Sequence, residues 1–121
     1  MTMIKGPENA GPPPKALMQA IDKLGEEGTR NGTLIETGGL LPSAMGARVR
    51  LAKGKITVLD GPFSEAKELI GGYAVFELKS KEEAVEAARR FMEVHKEHWP
   101  GWEGETEVRQ IFNAADFAHP R

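Results

Sequence analysis

Apolar residues recur at helical spacing in two stretches of the chain. Leu17, Met18, Ile21 and Leu24 predict a helix that runs from Pro14 to about Arg30. Pro14 suits its first turn, where the missing N–H costs nothing. Gly25 and Gly28 each weaken it by about 1 kcal/mol relative to alanine, and Gly32 suits its C-terminal stop. The second stripe is Ala84, Val85, Ala88, Phe91, Met92 and His95. Ser80 and Glu83 form an S-x-x-E capping box that opens this helix, and Pro100-Gly101 closes it by His98.

Elsewhere the apolar period is two. Thr2 to Lys5 and Thr33 to Thr37 read as short strands, with Gly38-Gly39 ending or bending the second. Gly6 to Pro14, with four prolines and two glycines, reads as a loop, and Leu40 to Gly46 is a connection. Ala47 to Ala52 and Lys55 to Asp60 flank the two-residue turn Lys53-Gly54, which predicts a hairpin. Its register sets Leu51 opposite Ile56 and Val49 opposite Val58 on one apolar face, with Arg48 and Arg50 on the other. Ser64 to Ile70 is short helix or irregular chain. Tyr73 to Lys79 is a strand whose Ala74, Phe76 and Leu78 alternate with Tyr73, Val75 and Glu77. Glu107 to Phe112 is the last strand, and 113–121 is a tail.

The order is β-α-β-hairpin-β-α-β. It predicts one α+β domain over 1–121: a ferredoxin-like antiparallel sheet with two helices on one face and an inserted β-hairpin. The other face of the sheet, with Tyr73 and Val75, lacks a cover. An open apolar face is most simply covered by a second copy related by a two-fold axis. The expected assembly is therefore a homodimer with a cavity between its sheets.

Composition narrows the function classes. With 16 Lys plus Arg against 18 Asp plus Glu, the net charge is −2, so nothing favours nucleic acid or an acidic membrane as partner. There is no cysteine, which excludes disulfides, thiolate metal sites and a cysteine nucleophile. No apolar run reaches membrane-span length, and Met1 to Lys5 lacks a signal-peptide pattern. A cytoplasmic protein is expected, and no glycine spacing marks a phosphate or dinucleotide cofactor.

The candidate chemistry centres on Asp60-Gly61-Pro62-Phe63. Asp60 continues the parity of Ile56 and Val58, so it enters on the apolar side of the hairpin. Gly61 allows backbone angles other residues avoid, Pro62 stiffens the turn, and Phe63 anchors it in the core. Asp60 has two readings: a general base with its pKa raised by burial, or a turn cap that accepts backbone N–H groups of residues 62 to 64. His95 and His98 share a helix face, as acid/base groups or as a solvated helix end; an HxxH pair alone is a weak metal signal, and no metal is expected. Trp99 and Trp102 are core cover, interface anchors or the walls of a pocket. Glu36 points toward the inter-sheet cavity, as Tyr73 does. Lys67 suits a substrate carboxylate or a solvated surface pair, and Arg50 belongs to a basic rung on the hairpin.

The tract Asp60-Gly61-Pro62-Phe63-Ser64-Glu65-Ala66-Lys67-Glu68-Leu69-Ile70-Gly71-Gly72-Tyr73 resembles the signature of the DGPF branch of the YCII-related family. The resemblance extends upstream to Gly39-Leu40-Leu41-Pro42-Ser43 and downstream to Glu107-Val108-Arg109-Gln110-Ile111-Phe112. It implies a dimeric α+β barrel and no settled activity. Some relatives are encoded beside sigma factors, and a more distant one is a dehydrochlorinase that uses a His–Asp pair. Here no histidine precedes Asp60, and Leu41 stands where relatives sometimes carry histidine. Members also start with a longer apolar first strand than Met1 to Lys5. Two functions follow. One is a small-molecule lyase, isomerase or hydrolase with Asp60, His95 and His98 as catalytic candidates and Glu36, Arg50, Lys67, Tyr73 and Trp99 as ligand-binding candidates. The other is a non-catalytic dimeric module that binds a ligand or takes part in sigma-factor regulation.

Overall fold

The structure, a computed structural model, describes residues 1–112; the tail expected at 113–121 lies outside the described residues. The first stripe forms α1, Lys15–Arg30. Pro14 caps it, its carbonyl accepting the N–H groups of Leu17 and Met18 at 3.1 and 3.2 Å. Leu17, 1% exposed, is the most deeply buried large side chain described. Gly32, at φ +79°, leads the chain out of the helix in the left-handed region glycine tolerates best. The second stripe forms α2, Lys81–His98. The Ser80 hydroxyl accepts the Glu83 N–H at 3.2 Å, and the Glu83 carboxylate accepts the Lys79 N–H at 2.8 Å. The stripe differs from expectation at Val85, which is 43% exposed, while Ala88 and His95 are buried. Arg90 reaches Glu27 at 3.2 Å and ties the helices together.

Six strands form: β1 Thr2–Gly6, β2 Leu34–Gly39, β3 Ala47–Ala52, β4 Lys55–Asp60, β5 Leu69–Phe76 and β6 Glu105–Val108. Four make one antiparallel sheet in the order β2-β5-β1-β6. That is the ferredoxin-like order, with the β3–β4 hairpin inserted between β2 and β5. One face carries Leu34, Ala74, Phe76, Thr2, Ile4 and Thr106 by alternation and register. The Thr106 hydroxyl points to the Met92 sulfur at 3.0 Å, so α2 lies on that face. α1 lies on it too: a Cβ added at Gly28 would sit 2.9 Å from the Cβ of Leu34. Among the described residues no helix covers the other face, which carries Met3, Tyr73 and Glu107.

Three boundaries differ from the sequence reading. Gly38 and Gly39 stay inside β2, paired with Tyr73 and Gly72. β5 starts at Leu69 rather than Tyr73, so Gly71-Gly72 lies within the strand and the segment from Ser64 forms no helix. The reason is close approach: a Cβ at Gly72 would lie 3.0 Å from the Gly38 carbonyl oxygen. The last strand is Glu105–Val108 rather than Glu107–Phe112, because its partners are Lys5 through Thr2 of β1.

The hairpin has the expected turn and register. Lys53 and Gly54 both have positive φ, 53° and 76°, which matches the right-handed twist of the flanking strands. Leu51 faces Ile56 and Val49 faces Val58. Yet β3 and β4 pack extensively only on each other. Val49, Leu51, Ile56 and Val58 are 65% to 71% exposed. Among the described residues no helix is long and apolar enough to cross a membrane.

Candidate functional site

The turn after β4 is built on a contact the sequence did not announce. A Cβ at Gly61 would overlap the Ser43 carbonyl, and the Gly61 N–H donates to the Gly46 oxygen at 2.9 Å. Glycine is required here by this crossing; Gly61 is not one of the glycines with positive φ, which corrects the expectation of an unusual backbone angle. Ser43 then orders the rest. Its hydroxyl accepts the Phe63 N–H at 3.0 Å, and its own N–H is held by the Glu8 carboxylate at 2.9 and 3.0 Å. The Phe63 ring is half-buried under the Arg48 guanidinium, 3.9 Å from its centroid. Arg48 also pairs with Glu65. Glu65's own backbone N–H, and then Arg48, hold that carboxyl below its ordinary range.

Asp60 ends β4 in solvent, on the same face as Val49 and Val58. Among the described residues nothing forms a hydrogen bond or ion pair with its carboxylate. Ser43 takes the Phe63 N–H that a capping Asp60 was expected to accept. Arg50 is exposed on the opposite hairpin face, across from Thr57, and adds a longer-range pull on Glu65. Lys67 is exposed in the segment before β5.

The helix-free face of the sheet gathers two of the expected residues. Gly38, Tyr73, Met3 and Glu107 form one row across the four strands. The Tyr73 ring lies over Gly38, where a Cβ would come 3.0 Å from it. So placed, its hydroxyl donates to Glu36 at 2.8 Å, and that acceptor pushes the phenol pKa up. Beside this pair is a charged group that sequence reasoning missed. Lys5 bonds Glu107 at 2.9 Å and lies 3.4 Å from Glu105, while Arg109 holds Glu107 at 3.0 Å. Lys5 lowers the Glu107 pKa, aided by Arg109, and Glu107 raises that of Lys5. The signal was present in the alternation of Glu105, Glu107 and Arg109, but it becomes visible only once β6 is paired with β1.

His95, His98, Trp99 and Trp102 lie elsewhere, at the C-terminal end of α2, which packs on the other face of the sheet. His95 is 5% exposed, and its Nδ1 meets the Phe91 carbonyl at 2.9 Å. Burial pushes its pKa below 6.5, against a smaller opposite effect of that bond. His98 is half-buried, 3.9 Å from Glu97. Trp99 stacks on Trp102, and both line a cleft of about 350 Å³ with His95, Lys96 and Glu103. Asp60 is not among the lining residues, so one chain brings together Glu36 with Tyr73 and His95 with Trp99, and brings Asp60 to neither. Among the described residues no cluster of three or more His, Asp or Glu is arranged to hold a metal.

Comparison with known proteins gives one family and one relative. The sequence model of the YCII-related domain matches residues 3–113. An uncharacterised protein of Rhizobium meliloti (strain 1021) is 30% identical over 73 residues, covering 60% of this chain and 59% of that protein. The aligned part therefore spans less than two thirds of that relative's length.

Proposed function

We propose for this chain, which belongs to the YCII-related domain family, a homodimer that holds a small polar molecule between the helix-free faces of its two sheets and acts on it by proton transfer. The Asp60-Gly61-Pro62-Phe63 turn makes the DGPF branch our assignment within the family. The observation that carries the reading is the Tyr73–Glu36 pair, bonded at 2.8 Å between β5 and the edge strand β2, on a face that no described helix covers. The Tyr73 hydroxyl gives its one proton to Glu36, so the phenol oxygen and the carboxylate face a ligand as acceptors; together they orient its donors, and the carboxylate can take a proton from it. Lys5 and Arg109 supply the positive charge for a ligand carboxylate. Asp60 stands on the apolar hairpin face. A second copy that covers that face takes Asp60 out of open solvent and makes its carboxylate the candidate base. The reaction class is that of a lyase, isomerase or hydrolase.

A second reading, a binding module without catalysis, is favoured by one fact: among the described residues no imidazole pairs with Asp60. Native mass spectrometry after incubation with a metabolite extract tests both. The expected result is a dimer, twice the 13.2 kDa of the chain, carrying a small polar ligand that Tyr73→Phe and Glu36→Gln lose. Asp60→Asn then separates the readings: bound ligand released unchanged by wild type and variant alike favours the module, whereas conversion by wild type alone favours the enzyme. A monomer at micromolar concentration refutes the shared site.

A further inference from the structure

The cleft at the end of α2 shares no residue with the helix-free face, and its walls have a chemistry of their own. His95 is the centre of it. The Phe91 carbonyl can only accept, so the 2.9 Å contact fixes the proton on Nδ1. The rings of Phe91 and Trp102 pack against the imidazole at tilted angles, with centroids at 4.7 and 4.9 Å. That leaves Nε2 as a lone-pair acceptor. Among the described residues no group donates to it, yet none of their fully buried side-chain nitrogens or oxygens lacks a partner. Nε2 therefore reaches open space, and the open space beside His95 is the cleft. A histidine this buried, with one nitrogen fixed and the other open to a cleft, is an acceptor waiting for a donor.

The surroundings define that donor. Trp102 is held rigidly: a Cβ at Gly6 would come 2.7 Å from its ring, and one at Gly104 would overlap it. Trp99 stacks on it at 5.8 Å with planes 21° apart, too close to admit a ring between them. The stacked indoles thus form part of the cleft's wall rather than a sandwich. Lys96 and Glu103 line the cleft as well, and neither has an ion-pair partner among the described residues. A ligand's negative end is drawn to Lys96 and kept from Glu103. His95 and Lys96 line the same small cleft, so the donor and the negative group of the ligand are close together. A volume of about 350 Å³ is at the small end of ligand sites.

The geometry points to a second ligand site here, for a small planar heteroaromatic carboxylate whose ring N–H lies next to its carboxylate. The ring lies on the Trp99–Trp102 wall, the N–H donates to His95 Nε2, and the carboxylate meets Lys96. The chain has two tryptophans and both line this cleft, so their two indole N–H signals in a ¹H–¹⁵N spectrum report on it directly. The probes are indole-2-carboxylate, 1-methylindole-2-carboxylate and indole. Indole-2-carboxylate is expected to shift both signals saturably. The N-methyl analogue keeps ring and charge but strands the buried acceptor, which weakens binding by roughly tenfold or more. Lys96→Gln, a surface change that leaves the fold intact, is expected to weaken the acid about three- to tenfold and to leave indole unchanged. Equal affinity of the acid and its N-methyl analogue overturns the proposal. So does the absence of indole shifts at millimolar acid. Either failure leaves the helix-free face untouched, since the two sites have no residue in common.

Discussion

At Gly61 the chain has no space for a side chain, because the Ser43 carbonyl occupies the position of a Cβ. Overpacking against backbone cannot be relieved by a rotamer change. Gly61→Ala is therefore expected to destabilise the fold by about 3 kcal/mol, the upper part of the usual range for overpacking. Ser43→Ala removes the acceptor of the Phe63 N–H and is expected to cost about 1 kcal/mol. Urea midpoints of the two variants check the order, and an unchanged midpoint for Gly61→Ala rules out the crossing. His95 sets a second expectation. Burial lowers its folded pKa below the ordinary 6.5, so the unfolded chain binds the proton more readily. Above 6.5 neither state is protonated and the full stability is present. As pH falls through 6.5 toward the folded value, the unfolded state gains a proton and stability declines, by at most about 1.4 kcal/mol per pH unit. Glu65 and Glu107, whose folded pKa values are depressed below 4.5, lose their contribution only at lower pH. Urea unfolding between pH 7 and 5 is expected to show this slope in wild type and a flatter one in His95→Gln; equal slopes contradict the assignment.

Elements whose signals are local were legible in the sequence. The hairpin needed only the Lys53-Gly54 turn and a period of two, and its register followed to the residue. The start of α2 needed only Ser80 and Glu83. What was not legible depends on a second element. Gly71-Gly72 looks like a break from composition, yet it is strand because Gly38 crosses close by. Gly28 looks like a cost to α1, yet its missing Cβ is what lets the helix settle on Leu34. The same division holds at the site. Alternation along β5 was enough to turn Tyr73 away from the helices, and Glu36 followed. The group of Lys5, Glu107 and Arg109 needed the pairing of β1 with β6, across most of the chain length. Hairpin parity also placed Asp60 on the apolar face, but it said nothing of whether that face is covered within one chain. It is not.

The proposed assembly rests on that uncovered face. A two-stranded hairpin alone is marginal in water, and this one offers Val49, Leu51, Ile56 and Val58 about two-thirds exposed. Completing their burial is worth about 1–2 kcal/mol each. A two-fold pair gathers eight such side chains, so about 8–16 kcal/mol acts against an association cost of roughly 4–15 kcal/mol. The two ranges overlap, so the balance is narrow, and one buried unpaired charge per copy is enough to tip it toward the monomer. Val58→Asp is the direct trial, since that position is solvent-exposed in the single chain and the substitution costs little there. Wild type is expected to scatter light as a dimer at micromolar concentration, with hairpin amides that exchange more slowly as concentration rises. The variant is expected to be a monomer whose hairpin exchanges freely while β5 and β1 keep their protection. If Val58→Asp leaves both mass and hairpin exchange unchanged, another surface joins the copies and Asp60 remains in water. Its role as a base would then lose its physical ground.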